Sequence, residues 1–409
     1  MRRRDVLAGA SAGAAVLAAR HATAQGAGQG AEIRLGALYP FSGPLALLGD
    51  ESFRGFEIAA EERNAAGGIG TSRIRFIKGD AVDQNQAIGE ARRLMGVERV
   101  QAIFGTYASP LSFAATQVTE LAGIPYFELG AISDPITERG FRYLFRTCPV
   151  ARFFGEGTVD AVTGIAQKLG VDPKTLRIAI LREDGIYGTT VSAAQKTRVQ
   201  QLGYTQVEDL SYSVRAVDLS SVVQRLRGAN VDVVLHTGYQ NDILLFYRGM
   251  KEAGWKPKAV IGSGAGYSLT DTAKAVGPDF QNTMNVDFTQ FAVNERVAPG
   301  VKQFAEAYAR KYGHPPRSGH SLANYMGARV FFDALARAGS MDKDRVRAAV
   351  LATDIAEHTT PTGWGAKFDE KGQNTRARPF LLQWQGEQQV TVFPPEAAVA
   401  DLRIGLGAS

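Results

Sequence analysis

Val100-Gln101-Ala102-Ile103-Phe104-Gly105-Thr106-Tyr107-Ala108-Ser109-Pro110 reads as a buried strand, a short loop and a helix start. The apolar run Val100–Phe104 has strand length. Pro110 has the fixed φ and missing N–H that suit the first position of a helix, with Ser109 expected as its cap. Free amides and the positive end of the helix dipole then point into the loop, which suits an anion such as a carboxylate. An ordinary helix cap has the same local sequence. The position beyond a strand's carboxyl end is what raises Ser109, with Tyr107 and Ala108, to candidate ligand groups.

The same grammar extends both ways from this stretch. Strands are expected at Ile33–Tyr39, Arg73–Lys78 and Pro125–Leu129, and helices at Glu51–Ala65, Asn85–Met95 and Pro110–Leu121. The pattern restarts with a helix at Phe153–Leu169. Strands follow at Arg177–Leu181, Gln206–Ser211, Val231–His236 and Ala259–Gly262. Helices are expected at Thr189–Leu202, Leu219–Arg227, Asp242–Ala253 and Thr270–Val276. Further helices at Gly300–Tyr312, His320–Ala338 and Asp344–Ala352 precede strands at Pro379–Trp384 and Gln389–Phe393. Strict alternation of strand and helix means parallel sheets covered on both faces. The fold class is therefore α/β, with two doubly wound lobes joined by a multi-strand hinge. The lobes are expected at 32–149 with 288–361 and at 150–287 with 362–409. Ligands in such sheets sit beyond the carboxyl ends of the strands, and two facing lobes close on them by hinge motion.

Other loops at strand carboxyl ends supply candidates. Gly130, Ala131 and Ile132 follow one strand, where small residues admit a ligand close to the backbone. Tyr187 lies in Arg182-Glu183-Asp184-Gly185-Ile186-Tyr187-Gly188, and Tyr239 follows Thr237-Gly238. Each tyrosine brings a ring and a hydroxyl. Gly262-Ser263-Gly264-Ala265-Gly266-Tyr267 lacks the last glycine of a dinucleotide fingerprint, because Tyr267 holds that place.

Composition narrows the function classes. The chain has 409 residues, 45% hydrophobic and 21% charged, enough for two cores. The formal charge of +5 is largely a property of the N-terminus. Arg2, Arg3, Arg4 and Arg20 lie within residues 1–24, and no basic stripe suggests nucleic acid. Arg3-Arg4-Asp5-Val6-Leu7, a mild apolar run and Ala22-Thr23-Ala24 read as a cleavable export signal of twin-arginine type. Cleavage is expected after Ala24, followed by a linker at 25–31. About 14 apolar residues are too few to span a bilayer, which needs roughly 20. The G-x-S-x-G of Gly9–Gly13 falls in this leader, with no strand before it.

Phosphate-loop and zincin motifs are absent from the sequence, and His236, His314, His320 and His358 have no metal-ligand spacing. Cys148, the sole cysteine, reads as a buried structural thiol, and no acid pair stands out as a catalytic couple. No cofactor, metal or catalytic residue is expected.

With those residues in place, the chain resembles the periplasmic leucine/isoleucine/valine-binding family of ABC importers. The resemblance spans about residues 32–395. It rests on Leu38-Tyr39-Pro40-Phe41-Ser42-Gly43-Pro44, Asn64-Ala65-Ala66-Gly67-Gly68-Ile69, Gly123-Ile124-Pro125, Arg139-Gly140-Phe141, Arg146-Thr147, Tyr187-Gly188 and Phe368-Asp369-Glu370-Lys371-Gly372-Gln373-Asn374. It implies a type I periplasmic binding fold and a monomeric periplasmic receptor. Such a receptor passes a small molecule to a permease in the inner membrane and catalyses nothing. A ligand-sensing subunit built on the same clamp is the alternative; an enzyme on this scaffold would need groups that the sequence lacks. Carried over, the carboxylate serine falls on Ser109, the small loop on Gly130 and Ala131, and the second-lobe tyrosines on Tyr187 and Tyr239. Pocket positions fall at Leu48 and His320. Ile132 stands where amino-acid binders have threonine, and Gly264 where they have an acid for the ligand ammonium. The ligand expected is therefore a small carboxylate-bearing molecule, a branched-chain amino acid by family default, or else an aromatic acid or an amide without an α-ammonium. Glu128 and Glu183 are the candidate substitutes for the missing acid.

Overall fold

The computed structural model describes residues 32–407. The export signal, the linker and the Gly9–Gly13 motif lie outside them. Two α/β lobes are present. In the first, β1 (Glu32–Tyr39), β2 (Arg73–Asp80), β3 (Ala102–Gly105), β4 (Tyr126–Glu128) and β5 (Leu144–Arg146) form a parallel sheet in the order β2-β1-β3-β4-β5. Helices α1 (Ala46–Ala65), α2 (Gln84–Gly96) and α3 (Ser109–Ala122) connect its strands, with a short α4 (Pro135–Glu138) before β5.

The second sheet repeats the scheme. It contains β6 (Arg177–Glu183), β7 (Thr205–Tyr212), β8 (Val233–Thr237), β9 (Ala259–Gly262) and β10 (Met284–Asp287), extended by antiparallel β13 (Phe380–Gln385) and β14 (Gln388–Phe393). The order is β14-β13-β10-β9-β8-β6-β7. Its helices are α5 (Ala151–Leu169), α6 (Ile186–Leu202), α7 (Ser220–Gly228), α8 (Gln240–Glu252) and α9 (Thr270–Val276). In both sheets the first strand is flanked by the second and third, so strand order reverses there. That reversal opens a crevice at the carboxyl edge.

The chain then returns to the first lobe through α10 (Val301–Tyr312), α11 (His320–Ala338) and α12 (Lys343–Leu351), and through the two-residue strands β11 (Asp354–Ile355) and β12 (Ala366–Lys367). Helix α11 packs on α1 where Gly55 permits close approach: a Cβ there would lie 1.8 Å from the Ser321 carbonyl oxygen. Glu51, buried on α1, accepts from Ser321 Oγ at 2.6 Å, Tyr308 Oη at 2.5 Å and the Arg317 amide at 3.1 Å. This fixes the start of α11, and with it His320.

Three sequence expectations change. Leu144–Arg146 and Met284–Asp287 are strands that periodicity did not reveal, being short and, in the second case, interrupted by polar residues. The helix expected from Glu51 begins at Ala46. Gln373 pairs with Arg146 on the first sheet and Asn374 donates to the Thr147 carbonyl, so this segment stays with the first lobe. The boundary expected at 361–362 falls before it rather than after. Among the described residues no helix is long and apolar enough to cross a membrane.

Candidate functional site

The carboxyl edges of the two sheets face each other across a closed cleft. Ser133 Oγ donates to the Ile186 carbonyl at 3.1 Å. On the opposite flank the Ser268 and Ser318 hydroxyls are 2.7 Å apart, and the Thr270 amide donates to the Arg317 carbonyl at 3.0 Å. Between these contacts lies a cavity of about 290 Å3.

The first lobe lines it with Tyr107, Ser109, Gly130, Ile132 and His320. Ser109 is the first residue of α3 and is not its cap, a correction to the sequence reading. Ala108 caps the helix without a side-chain bond, because the chain turns helical one residue earlier than the Ser-Pro pair suggests. The Ser109 hydroxyl is therefore not held by its own helix. It accepts from the Ser133 amide at 3.3 Å and retains its O–H to donate. Gly130 is small for a structural reason, since a Cβ would come 3.1 Å from Tyr107 Cα.

The second lobe contributes Tyr187, Tyr239 and Gly264. The rings of Tyr187 and Tyr239 lie 5.3 Å apart, and Tyr187 Oη donates to the Ser263 carbonyl. Burial raises the pKa of both phenols well above the usual value, so both remain donors.

Three expected contacts do not line this cavity. Ala108 is buried beneath the loop. The Ala131 carbonyl is taken by Arg146 at 3.0 Å, within hydrogen-bonding range of the buried Cys148 thiol as well. Leu48 lines an adjoining void of about 220 Å3 with Pro44, Leu45, Leu47 and Leu269, which shares Tyr107 and Tyr239 with the main cavity.

Asp287 is a cavity-lining residue that sequence reasoning missed. It ends β10, is buried, and lines the cavity with Phe154, Ser263, Ala265 and Phe288. Asp287 Oδ1 accepts from the Phe288 amide at 2.6 Å and Oδ2 from Asn285 Nδ2 at 3.1 Å. Burial pushes its carboxyl up to about 7. Gly264, with φ of 88°, leaves the acid room: a Cβ there would sit 3.3 Å from Asp287 Oδ1. His320 Nε2 is 3.7 Å from the same oxygen, and burial pushes the imidazole down to about 3, so it is neutral.

Glu128 and Glu183, the expected substitutes, are engaged elsewhere. The Glu128 carboxylate accepts from the amides of Thr106, Tyr107, Leu129, Gly130 and Ala131 at 2.7–3.4 Å. Glu183 accepts from the amides of Gly185 and Gly188. Neither lines the cavity. Among the described residues no group of three or more His, Cys, Asp or Glu side chains could hold a metal ion.

Comparison with known proteins agrees with this architecture. Residues 32–388 match the family described as periplasmic binding protein. The chain is 51% identical over 376 residues to Leu/Ile/Val-binding protein homolog 7 of Brucella suis biovar 1 (strain 1330), covering 91% of this chain and 94% of that protein. Leucine-binding protein LivK of Thermotoga maritima superposes with a TM-score of 0.77 at 21% identity, covering 88% of this chain and 97% of that one. A solute-binding protein of R. palustris in complex with benzoate superposes at 0.73 with 20% identity, covering 90% and 98%. At these identities the two structures establish the fold alone. The chain belongs to the periplasmic leucine/isoleucine/valine-binding protein family, as a non-catalytic, extracytoplasmic solute-binding protein of the ABC-importer type.

Proposed function

We propose that this protein captures a small α-amino acid in the periplasm, as a monomer, and delivers it to its permease. Asp287 carries the reading. A buried carboxylate that takes one amide and one side-chain N–H, with the Ser268 hydroxyl beside it, and that faces a cavity is costly unless a cation joins it. A ligand ammonium is such a cation. Asp287 then takes the part that the resemblance assigned to an acid at position 264, from the neighbouring strand instead. The ligand carboxylate goes to the Ser109 hydroxyl and the first amides of α3, where the helix dipole favours negative charge. The name of the Brucella relative and the benzoate of the R. palustris complex mark the two ligand chemistries in question, and Asp287 favours the first.

Calorimetry with an amino acid and its matched acid lacking the ammonium, at pH 5.5 and pH 8, tests this. The ammonium needs Asp287 ionised, and that carboxyl titrates near 7. Amino-acid affinity is therefore expected to rise with pH across this range. An acid without an ammonium favours protonated Asp287 and is expected to weaken. Tighter binding of the acid than of every amino acid would overturn the reading.

The leader is proposed to direct export by the twin-arginine route. Support comes from Arg3-Arg4 and the Ala22-Thr23-Ala24 site. N-terminal sequencing of the periplasmic form is expected to start at Gln25; export undiminished by Arg3→Lys with Arg4→Lys would refute the route.

A further inference from the structure

The cavity wall holds more polar atoms than an aliphatic amino acid can satisfy. Both ring nitrogens of His320 and the Tyr239 hydroxyl are buried without a hydrogen-bond partner. His320 is 3% exposed and Tyr239 7%. The main chain of His320 is engaged, its amide donating to Ser318 Oγ and its carbonyl accepting from Asn324 Nδ2. The ring is bracketed by aromatic neighbours, Tyr107 edge-on at 5.9 Å and Phe288 at 4.7 Å, which offer it no hydrogen bond. Asp287 Oδ1, at 3.7 Å, is beyond hydrogen-bonding distance.

A neutral imidazole presents one N–H donor and one acceptor lone pair, and a phenol can do both. Closure of the lobes removes these atoms from bulk water. A purely aliphatic side chain would then leave them unsatisfied, at a penalty that outweighs the gain from contact. A site built to hydrogen-bond a substrate group rejects the isostere that lacks it.

Resting on the amino-acid reading above, we propose that the ligand carries a hydrogen-bonding side chain, a hydroxyl or a primary amide, which partners His320 and Tyr239. Such groups both donate and accept, as the neutral ring requires.

Isosteric pairs test the proposal by titration calorimetry on the mature protein. Threonine is expected to bind roughly tenfold or more tightly than valine, or asparagine than leucine, since one unsatisfied buried polar atom is equivalent to about that ratio. The pair with the larger ratio separates hydroxyl from amide. In His320→Phe the ratio is expected to fall towards or below one. Valine and leucine binding as tightly as their polar isosteres in the wild type would overturn the proposal and leave the amino-acid reading intact. Failure of every amino acid to bind would overturn both. The wild-type ratios decide the matter even if His320→Phe fails to fold.

Discussion

Glu128 and Asp287 are both buried carboxylates at the carboxyl ends of parallel strands, one in each lobe. Burial raises the pKa of both. They differ in what surrounds them. Five backbone amides of two adjacent loops converge on Glu128. It is the internal template that shapes the loops carrying Tyr107 and Gly130. Asp287 receives one amide and one side-chain N–H, has the Ser268 hydroxyl beside it, and lines the cavity. The comparison teaches that a buried acid near a ligand site is classified by its unfilled hydrogen-bonding capacity, more than by burial or pKa. A saturated carboxylate is architecture, and an unsaturated one awaits a partner.

The largest effect that would break this comparison is on stability at Glu128. Replacing it by alanine strands four buried amide donors, the Leu129 amide keeping the Gly105 carbonyl. Each unsatisfied donor costs about 1–3 kcal/mol, less when neighbours relax together, so Glu128→Ala is expected to lose ~5 kcal/mol. Chemical denaturation would measure it. A loss below ~1 kcal/mol would mean that the amides find other partners and that Glu128 is no template.

Asp287→Asn should behave in the opposite sense. Ligand affinity is expected to fall by ~3 kcal/mol, over a hundredfold, as when one partner of a buried charge pair is removed. The unliganded protein is expected to become more stable. The sign follows from linkage. The folded carboxyl titrates near 7 and the unfolded one at ~3.9. The folded state therefore holds a proton that the unfolded state has lost, and wild-type stability from this group declines as pH rises between those values. Asparagine has no such decline. The melting temperature of Asp287→Asn relative to wild type should thus increase from pH 5 to pH 8. A constant difference would mean that Asp287 titrates alike in both states.

These two acids also show what the sequence made legible. The alternation of strand and helix located both parallel sheets, and the carboxyl-end rule found the loops that carry Tyr107, Ser109, Gly130, Ile132, Tyr187, Tyr239 and Gly264. His320 came from the family resemblance. What escaped lay in short strands. Met284-Asn285-Val286-Asp287 is buried throughout yet alternates apolar and polar residues, because Asn285 holds the Gly264 amide and Asp287 faces the cavity. Its polarity concealed a strand whose polar positions are used inside the protein. A signal was available: an acid between Val286 and Phe288 is out of place in a run of that burial unless something binds it. Position 264 holds glycine, and the replacement acid proposed for it sits on the next strand, out of reach of any position-by-position alignment.

The smallest expected effect sharpens the comparison at the anion end. Ser109 is the first residue of α3 and caps nothing, so its removal should leave helix stability nearly unchanged. In the proposed binding mode its O–H is the group offered to the ligand carboxylate. Ser109→Ala is therefore expected to weaken binding by about 1–3 kcal/mol, the range for a hydrogen bond to a charged group. The unliganded melting temperature should change little, since among the described residues the bond lost is the 3.3 Å contact from the Ser133 amide. Calorimetry and thermal melts on the same sample separate the two effects. Unchanged affinity would move the carboxylate away from α3 and towards the Tyr239 hydroxyl. A marked fall in melting temperature with affinity intact would make Ser109, like Glu128, a part of the loop architecture.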